Sequence, residues 1–149
     1  MAKKHLRVAL LYNLKHSVTA PADAPPDALA EFDSEETVEA LAAALRAGGH
    51  EVVPLEADAS LPDTVRQAQV DICFNIAEGL GGDSREAQAP ALLEMLGIPY
   101  TGSKVLTHAI SLDKVLTKRI WRDVGLPPAP FQAFSPGDEP LDPALHFPL

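Results

Sequence analysis

Cysteine is nearly absent: Cys73 is the one thiol in 149 residues. A disulfide framework is thereby excluded, which fits a reducing compartment. Cys73 lies in an apolar run and reads as a small core residue, with a nucleophile as the alternative. Basic residues are scarce too. Twelve Lys and Arg face 21 Asp and Glu, a formal net charge of −9. That balance excludes a surface built to neutralise nucleic-acid phosphates, and one built to dock on an anionic membrane. From Ala20 to Leu45 there is no Lys or Arg at all, against the acids Asp23, Asp27, Glu31, Asp33, Glu35, Glu36 and Glu39. This stretch reads as a solvated loop and helix start, with a cation site as the alternative. Long apolar runs are missing as well. Val8 to Tyr12 is too short for a signal-peptide core, and nothing approaches the ~18 residues of a membrane span. The histidines are scattered without metal-ligand spacing. A cytoplasmic globular protein is expected, with no nucleic-acid or membrane partner.

What is present alternates. LRVALLY (Leu6 to Tyr12) is a short apolar run that reads as a strand buried on both faces. A long loop with Pro21, Pro25 and Pro26 follows. Asp33 with Glu36, or Ser34 in its place, then opens a helix carrying Val38, Leu41, Ala42 and Leu45, which Gly48 and Gly49 close. Glu51 to Leu55 is a second strand, Pro62 to Gln69 a short helix, and Val70 to Asn75 a third strand, expected to be central. Proline costs about 3 kcal/mol deep in a helix but little in its first turn, so the next helix should begin just before Pro90. Gly97 ends it and Ile98 to Tyr100 is a brief fourth strand. Leu112, Leu116, Ile120 and Val124, spaced by four, predict one helix over 111–124. The order implies an α/β fold with a parallel sheet, helices on both faces, and a ligand edge beyond the carboxyl ends of the strands.

That edge carries the chemistry. In CFNIAEGLGGDSREAQ (73–88) the third strand runs into Glu78 and then Gly79, Gly81 and Gly82. The spacing is neither the dinucleotide fingerprint nor a P-loop. The glycines permit close backbone approach, and a helix N-terminus after them would favour an anion; the alternative is a plain strand-to-helix turn. Glu78 can accept from a substrate amine, or it is a solvated turn residue. Arg85 can hold a carboxylate, or it pairs with Glu86 or Asp83. Lys114 and Lys118 form a basic exposed face or contact phosphate.

FNIAEGLGGDSREAQAPALLEMLGIPYTGS followed by LTHAISLDKVLTKRIWRDVGLPPAPF (about Val70 to Phe131) resembles the D-alanine–D-alanine ligase family of the ATP-grasp superfamily. LGIPYTGS and LDK (Leu112 to Lys114) are the specific parts. The resemblance implies a Rossmann-like (pre-ATP-grasp) α/β substrate domain over 1–103, then the start of an ATP-grasp subdomain over 104–149. It implies a ligase that uses ATP and Mg²⁺ to turn a carboxylate into an acyl phosphate, which an amine attacks to give a peptide-like bond. Lys114 is the position that contacts ATP phosphates; Glu78, Gly79 and Arg85 face an amino-acid or small-peptide substrate. A homodimer is also implied. Two positions depart from the pattern. Glu78 stands where a histidine is usual, and YNLKHSVTAPADA lacks the usual Gly-Gly-x-Ser-x-Glu. Both bear on the first substrate. Members are much longer than this chain, so the expectation is a front fragment that does not turn over ATP alone. Most of the ATP pocket and the Mg²⁺ carboxylates would follow Leu149. The alternative is a stand-alone α/β ligand-binding or interaction domain. A receiver-like signalling domain is disfavoured, because Tyr12-Asn13 and Asn75 stand where its acids are needed.

Overall fold

The computed structural model describes residues 5–19, 23–135 and 137–146. They fall into two compact units, Met1–Ala109 and Ile110–Leu149. The first is built on a three-stranded parallel sheet in the order β2-β1-β3. Its strands are β1 (Arg7–Tyr12), β2 (Glu51–Glu56) and β3 (Ile72–Asn75). Arg7 pairs with Glu51 and Tyr12 with Glu56 on one side of β1; Val8 pairs with Ile72 and Leu11 with Asn75 on the other. The apolar run Val8 to Leu11 is buried because it is the central strand, covered on both faces.

Successive side chains of β1 alternate between those faces. Ala9 and Leu11 pack with Leu61 and Val65 of α2 (Leu61–Ala68) and with Ala89 and Leu93 of α3 (Gln88–Leu96). Leu10 packs with Val38 and Ala42 of α1 (Glu35–Ala47). Each fully buried leucine contributes roughly 1.5–3 kcal/mol of transfer free energy. Pro54 is tolerated inside β2 because β2 is an edge strand and its proline is exposed. Pro90 falls in the first turn of α3, as expected, and Gly97 ends that helix at φ 68°.

Several expectations are corrected. The 70–75 strand is not central. The outer side of β3 meets only one isolated bridge, Cys73 to Tyr100, so Ile98 to Tyr100 is no fourth strand. Pro99 has no N–H to extend a ladder, and Gly102 turns the chain two residues after Tyr100 at φ 100°. Ser34, not Asp33, caps α1: its hydroxyl accepts from the Thr37 N–H at 3.2 Å. Asp33 is committed elsewhere, its N–H donating to the Asn13 carbonyl and its own carbonyl accepting from the Lys15 N–H.

The predicted 111–124 helix is two helices. Val105–Leu112 forms α4, most of it ahead of the predicted span, and Lys114–Asp123 forms α5. Asp113 separates them in an extended conformation, and its carboxylate accepts from the Leu116 N–H at 2.8 Å. An N-cap of this kind satisfies helix-end donors that a continuous helix would spend on the preceding turn. In the second unit Lys118 Nζ lies 5.0 Å from the centre of the Phe131 ring. No helix among the described residues is long and apolar enough to cross a membrane.

Candidate functional site

The chain leaves β1 toward α1 on one face of the sheet and leaves β3 toward α3 on the other. A crevice therefore opens between the carboxyl ends of β1 and β3, the switch point where ligands bind in such sheets. The loop after β3 forms one wall. Gly79 takes φ 79°, and a Cβ there would lie 2.1 Å from the Arg85 carbonyl oxygen, so only glycine fits. Two side-chain amides hold this loop. Asn13 Oδ1 accepts from the Gly79 N–H at 2.9 Å. Gln88 Oε1 accepts from the Leu80 N–H at 3.2 Å, and Gln88 Nε2 donates to the Gly81 carbonyl at 2.8 Å. The Gly79 and Leu80 donors are thus already used inside the protein, which favours the strand-to-helix-turn reading of the loop over an anion cradle.

Charged side chains gather above it. The Arg85 guanidinium pairs with Glu31 and lies 3.9 Å from the Glu78 carboxylate. The expected pairing with Glu86 or Asp83 is corrected. The partner that does pair, Glu31, lies 54 residues earlier, shortly before α1. Burial pushes the Glu78 carboxyl above its ordinary value; Glu86, then Glu31, push it further, Arg85 opposes them and Asp33 adds to the rise. Asp33 is also raised by burial, and its Oδ2 is enclosed without a hydrogen-bond partner. Glu86 faces His108 Nδ1 at 3.7 Å. Two clefts adjoin this group. One of about 370 Å³ is lined by Asp33, Asn75, Glu78, Glu86 and His108 among others. One of about 350 Å³ lies against Leu29, Glu31, Phe32, Gly81 and Arg85. Glu86, Glu31 and Asp33 act on Glu78 against the single guanidinium of Arg85, four carboxylates to one arginine, a negative surplus of the kind an ammonium group seeks.

Of the residues singled out from sequence, Glu78, Gly79 and Arg85 come together here. Lys114 lies in the second unit, exposed, as the first residue of α5. Beside it the Asp113 carboxylate already accepts from one N-terminal donor of that helix, the Leu116 N–H. Cys73 is fully buried in the core, and burial pushes its thiol up to about 12, which removes the nucleophile reading. Sequence reasoning missed Asn13, Glu31, Asp33 and Gln88 as parts of this edge. A polar residue directly after the apolar run Val8 to Tyr12 was the available signal for Asn13. Glu31 had none. Among the described residues no three His, Cys, Asp or Glu side chains are grouped so as to hold a metal ion.

No family model matches the chain. It is 38% identical over 120 residues to the uncharacterized protein y4sG of Sinorhizobium fredii, covering 74% of this chain and 35% of that protein. It is 40% identical over 99 residues to the D-alanine–D-alanine ligase of Desulforudis audaxviator, covering 66% of this chain and 32% of that enzyme. The ligase of Anaeromyxobacter sp. (strain Fw109-5) is 42% identical over 97 residues, covering 65% and 31%. Among solved structures, D-alanine–D-alanine ligase from Bacillus anthracis superposes with a TM-score of 0.56 at 24% identity, over 80% of this chain and 35% of that one. Its complex with ATP gives 0.57 at 22%, over 80% and 36%. These structural likenesses establish the fold, a parallel-sheet, Rossmann-like α/β domain. The chain spans about a third of the length of the curated relatives it matches, and over that span it is similar to D-alanine–D-alanine ligases.

Proposed function

We propose that these residues form the front part of an ATP-dependent carboxylate–amine ligase, in which residues 1–103 hold an amino-acid or small-peptide substrate and 104–149 begin the nucleotide-binding part. ATP, when bound, supplies the phosphoryl group that converts a carboxylate into an acyl phosphate. This chain's own contribution is to seat and orient a substrate. Glu78, with Asp33 and Glu86 nearby, takes the ammonium end; Arg85 holds Glu78 and Glu31 in register and can take a carboxylate by a two-pronged bond. Lys114 is the phosphate contact. Use by a homodimer in the cytoplasm belongs to the same reading and rests on the resemblance alone.

The observation that carries the proposal is the negative surplus at the carboxyl edge of a ligase-like sheet. It is tested by titrating the 149-residue chain with D-alanine, D-alaninamide and N-acetyl-D-alanine while following the Glu78 and Gly79 signals by NMR. The two probes with an ammonium group are expected to move both signals, and N-acetyl-D-alanine, which has none, is expected not to. Equal response to all three would overturn the ammonium assignment. No response to any would favour a non-catalytic interaction domain. Of the groups on these 149 residues only Lys114 is assigned to ATP phosphate, so no phosphate release from ATP and Mg²⁺ is expected from the chain alone. Turnover would refute that assignment.

A further inference from the structure

The proposed chemistry makes no use of the most deeply buried polar side chain at the site. Asn13 is 1% exposed. A buried amide must satisfy both a donor and an acceptor, and this one does. Asn13 Nδ2 donates to the Ala57 carbonyl at 3.0 Å, and Oδ1 accepts from the Gly79 N–H at 2.9 Å. Its main-chain carbonyl accepts from the Asp33 N–H at 2.9 Å. One residue thus ties together the turn after β2, the glycine loop that carries Glu78, and the segment that brings Asp33 and Glu31.

We propose that Asn13 is the positioning residue of the substrate site, setting the spacing between the acids of the 13–33 segment and the Glu78–Arg85 pair. The functional half of this inference rests on the ammonium reading above. The geometry is specific to an uncharged amide. An aliphatic side chain of the same size would leave the Gly79 N–H and the Ala57 carbonyl buried without partners. An ionised aspartate could still accept from Gly79 but could not donate to Ala57. Displacing the Gly79 N–H cannot be a local event, because Gly79 packs directly against the Arg85 carbonyl. Glu78 on one side and Arg85 on the other must move with it. A residue that merely fills the core would, when replaced, lower stability without altering how Glu78 ionises.

The test compares Asn13→Ala with Val65→Ala in the 149-residue chain, since Val65 is fully buried in α2 away from the crevice. Two measurements are made by NMR well below the unfolding transition: the titration of the Glu78 carboxyl and the affinity for D-alaninamide. Asn13→Ala is expected to bring the Glu78 titration down toward the ordinary carboxylate range and to weaken D-alaninamide about tenfold, the worth of roughly one buried hydrogen bond. Val65→Ala is expected to change neither. Asn13→Asp, which keeps the acceptor for Gly79, is expected to keep the Gly79 amide protected from hydrogen exchange and carries the test if Asn13→Ala does not fold. The inference is overturned if Asn13→Ala leaves the Glu78 titration and the affinity of the folded protein at wild-type values, or if Asn13→Asp leaves Gly79 unprotected. Failure of D-alaninamide to bind the wild-type chain would instead sink the ammonium reading, and the Glu78 titration alone would then decide the role of Asn13.

Discussion

Helices α1 and α5 carry the same kind of code and meet different fates. Each has a side-chain N-cap, Ser34 or Asp113, and each has apolar residues at helical spacing. In the first unit Val38 and Ala42 of α1 are buried against Leu10. In the second, Leu116, Ile120 and Val124 are exposed at 42%, 38% and 62%, and no described residue of 110–149 is buried. An amphipathic stripe shows which face of a helix can be covered; covering it takes a neighbour such as the sheet. The first unit owes its helices to packing, while the described helix of the second is held by its own hydrogen bonds and caps.

The largest expected effect tests that contrast directly. Leu93→Ala removes a fully buried side chain from beneath the sheet and should cost about 2–5 kcal/mol in chemical denaturation, transfer and cavity together. Ile120→Ala on α5 should cost roughly 0.5 kcal/mol or less. Equal costs would mean that the α5 stripe is packed after all. Next come two left-handed glycines. Gly79→Ala places a Cβ into the Arg85 carbonyl as well as straining the backbone, and should cost about 2–4 kcal/mol. Gly125, at φ 77° with open space around it, should tolerate alanine for about 1 kcal/mol, the backbone penalty alone.

What the sequence disclosed follows from the same distinction. Features fixed by neighbours along the chain were legible: the apolar run of β1, the Gly48–Gly49 stop, Pro90 in a first turn, and Glu78, Gly79 and Arg85 on one loop. Features fixed by distant partners were not. Glu31 reaches Arg85 across 54 residues, and Asn13 reaches Gly79 across 66, spacings on which no local pattern bears. The error at Asp113 was of a third kind. Leu112, Leu116, Ile120 and Val124 keep a helical period through it, but an aspartate three residues before a free N–H satisfies that donor better as a cap than as an interior residue. The spacing of four along the sequence runs through Asp113 unchanged, so periodicity alone does not reveal the break.

The caps give the next, smaller comparison. Ser34→Ala and Asp113→Ala should each cost about 1 kcal/mol of helix stability. Native-state hydrogen exchange should separate them. Loss of the Ser34 cap is shared by the packed first unit and should lower protection across α1 and the sheet, while loss of the Asp113 cap should loosen only the first turn of α5. Equal spread of the two effects would show that α5 is as strongly coupled to its surroundings as α1.

The smallest effect concerns charge and belongs to the first unit. Glu78 is raised above its ordinary value of 4.5 by burial and by Glu86 and Glu31. A carboxyl raised in the folded state contributes stability that is complete below the unfolded value and is lost as pH rises through the folded one. Asp33, raised by burial, acts in the same direction. Stability should therefore fall as pH climbs out of the carboxylate range toward neutrality. Glu78→Gln should be the more stable protein at pH 7 and should lose that advantage below about 4.5, where the wild-type carboxyl is neutral in both states. Bound ammonium should have the same effect as the substitution, since it compensates the charge that makes Glu78 costly. A Glu78→Gln chain less stable than wild type at pH 7 would mean that Arg85 more than repays the burial of Glu78. The edge would then be a balanced ion-pair network with no field left for an incoming amine.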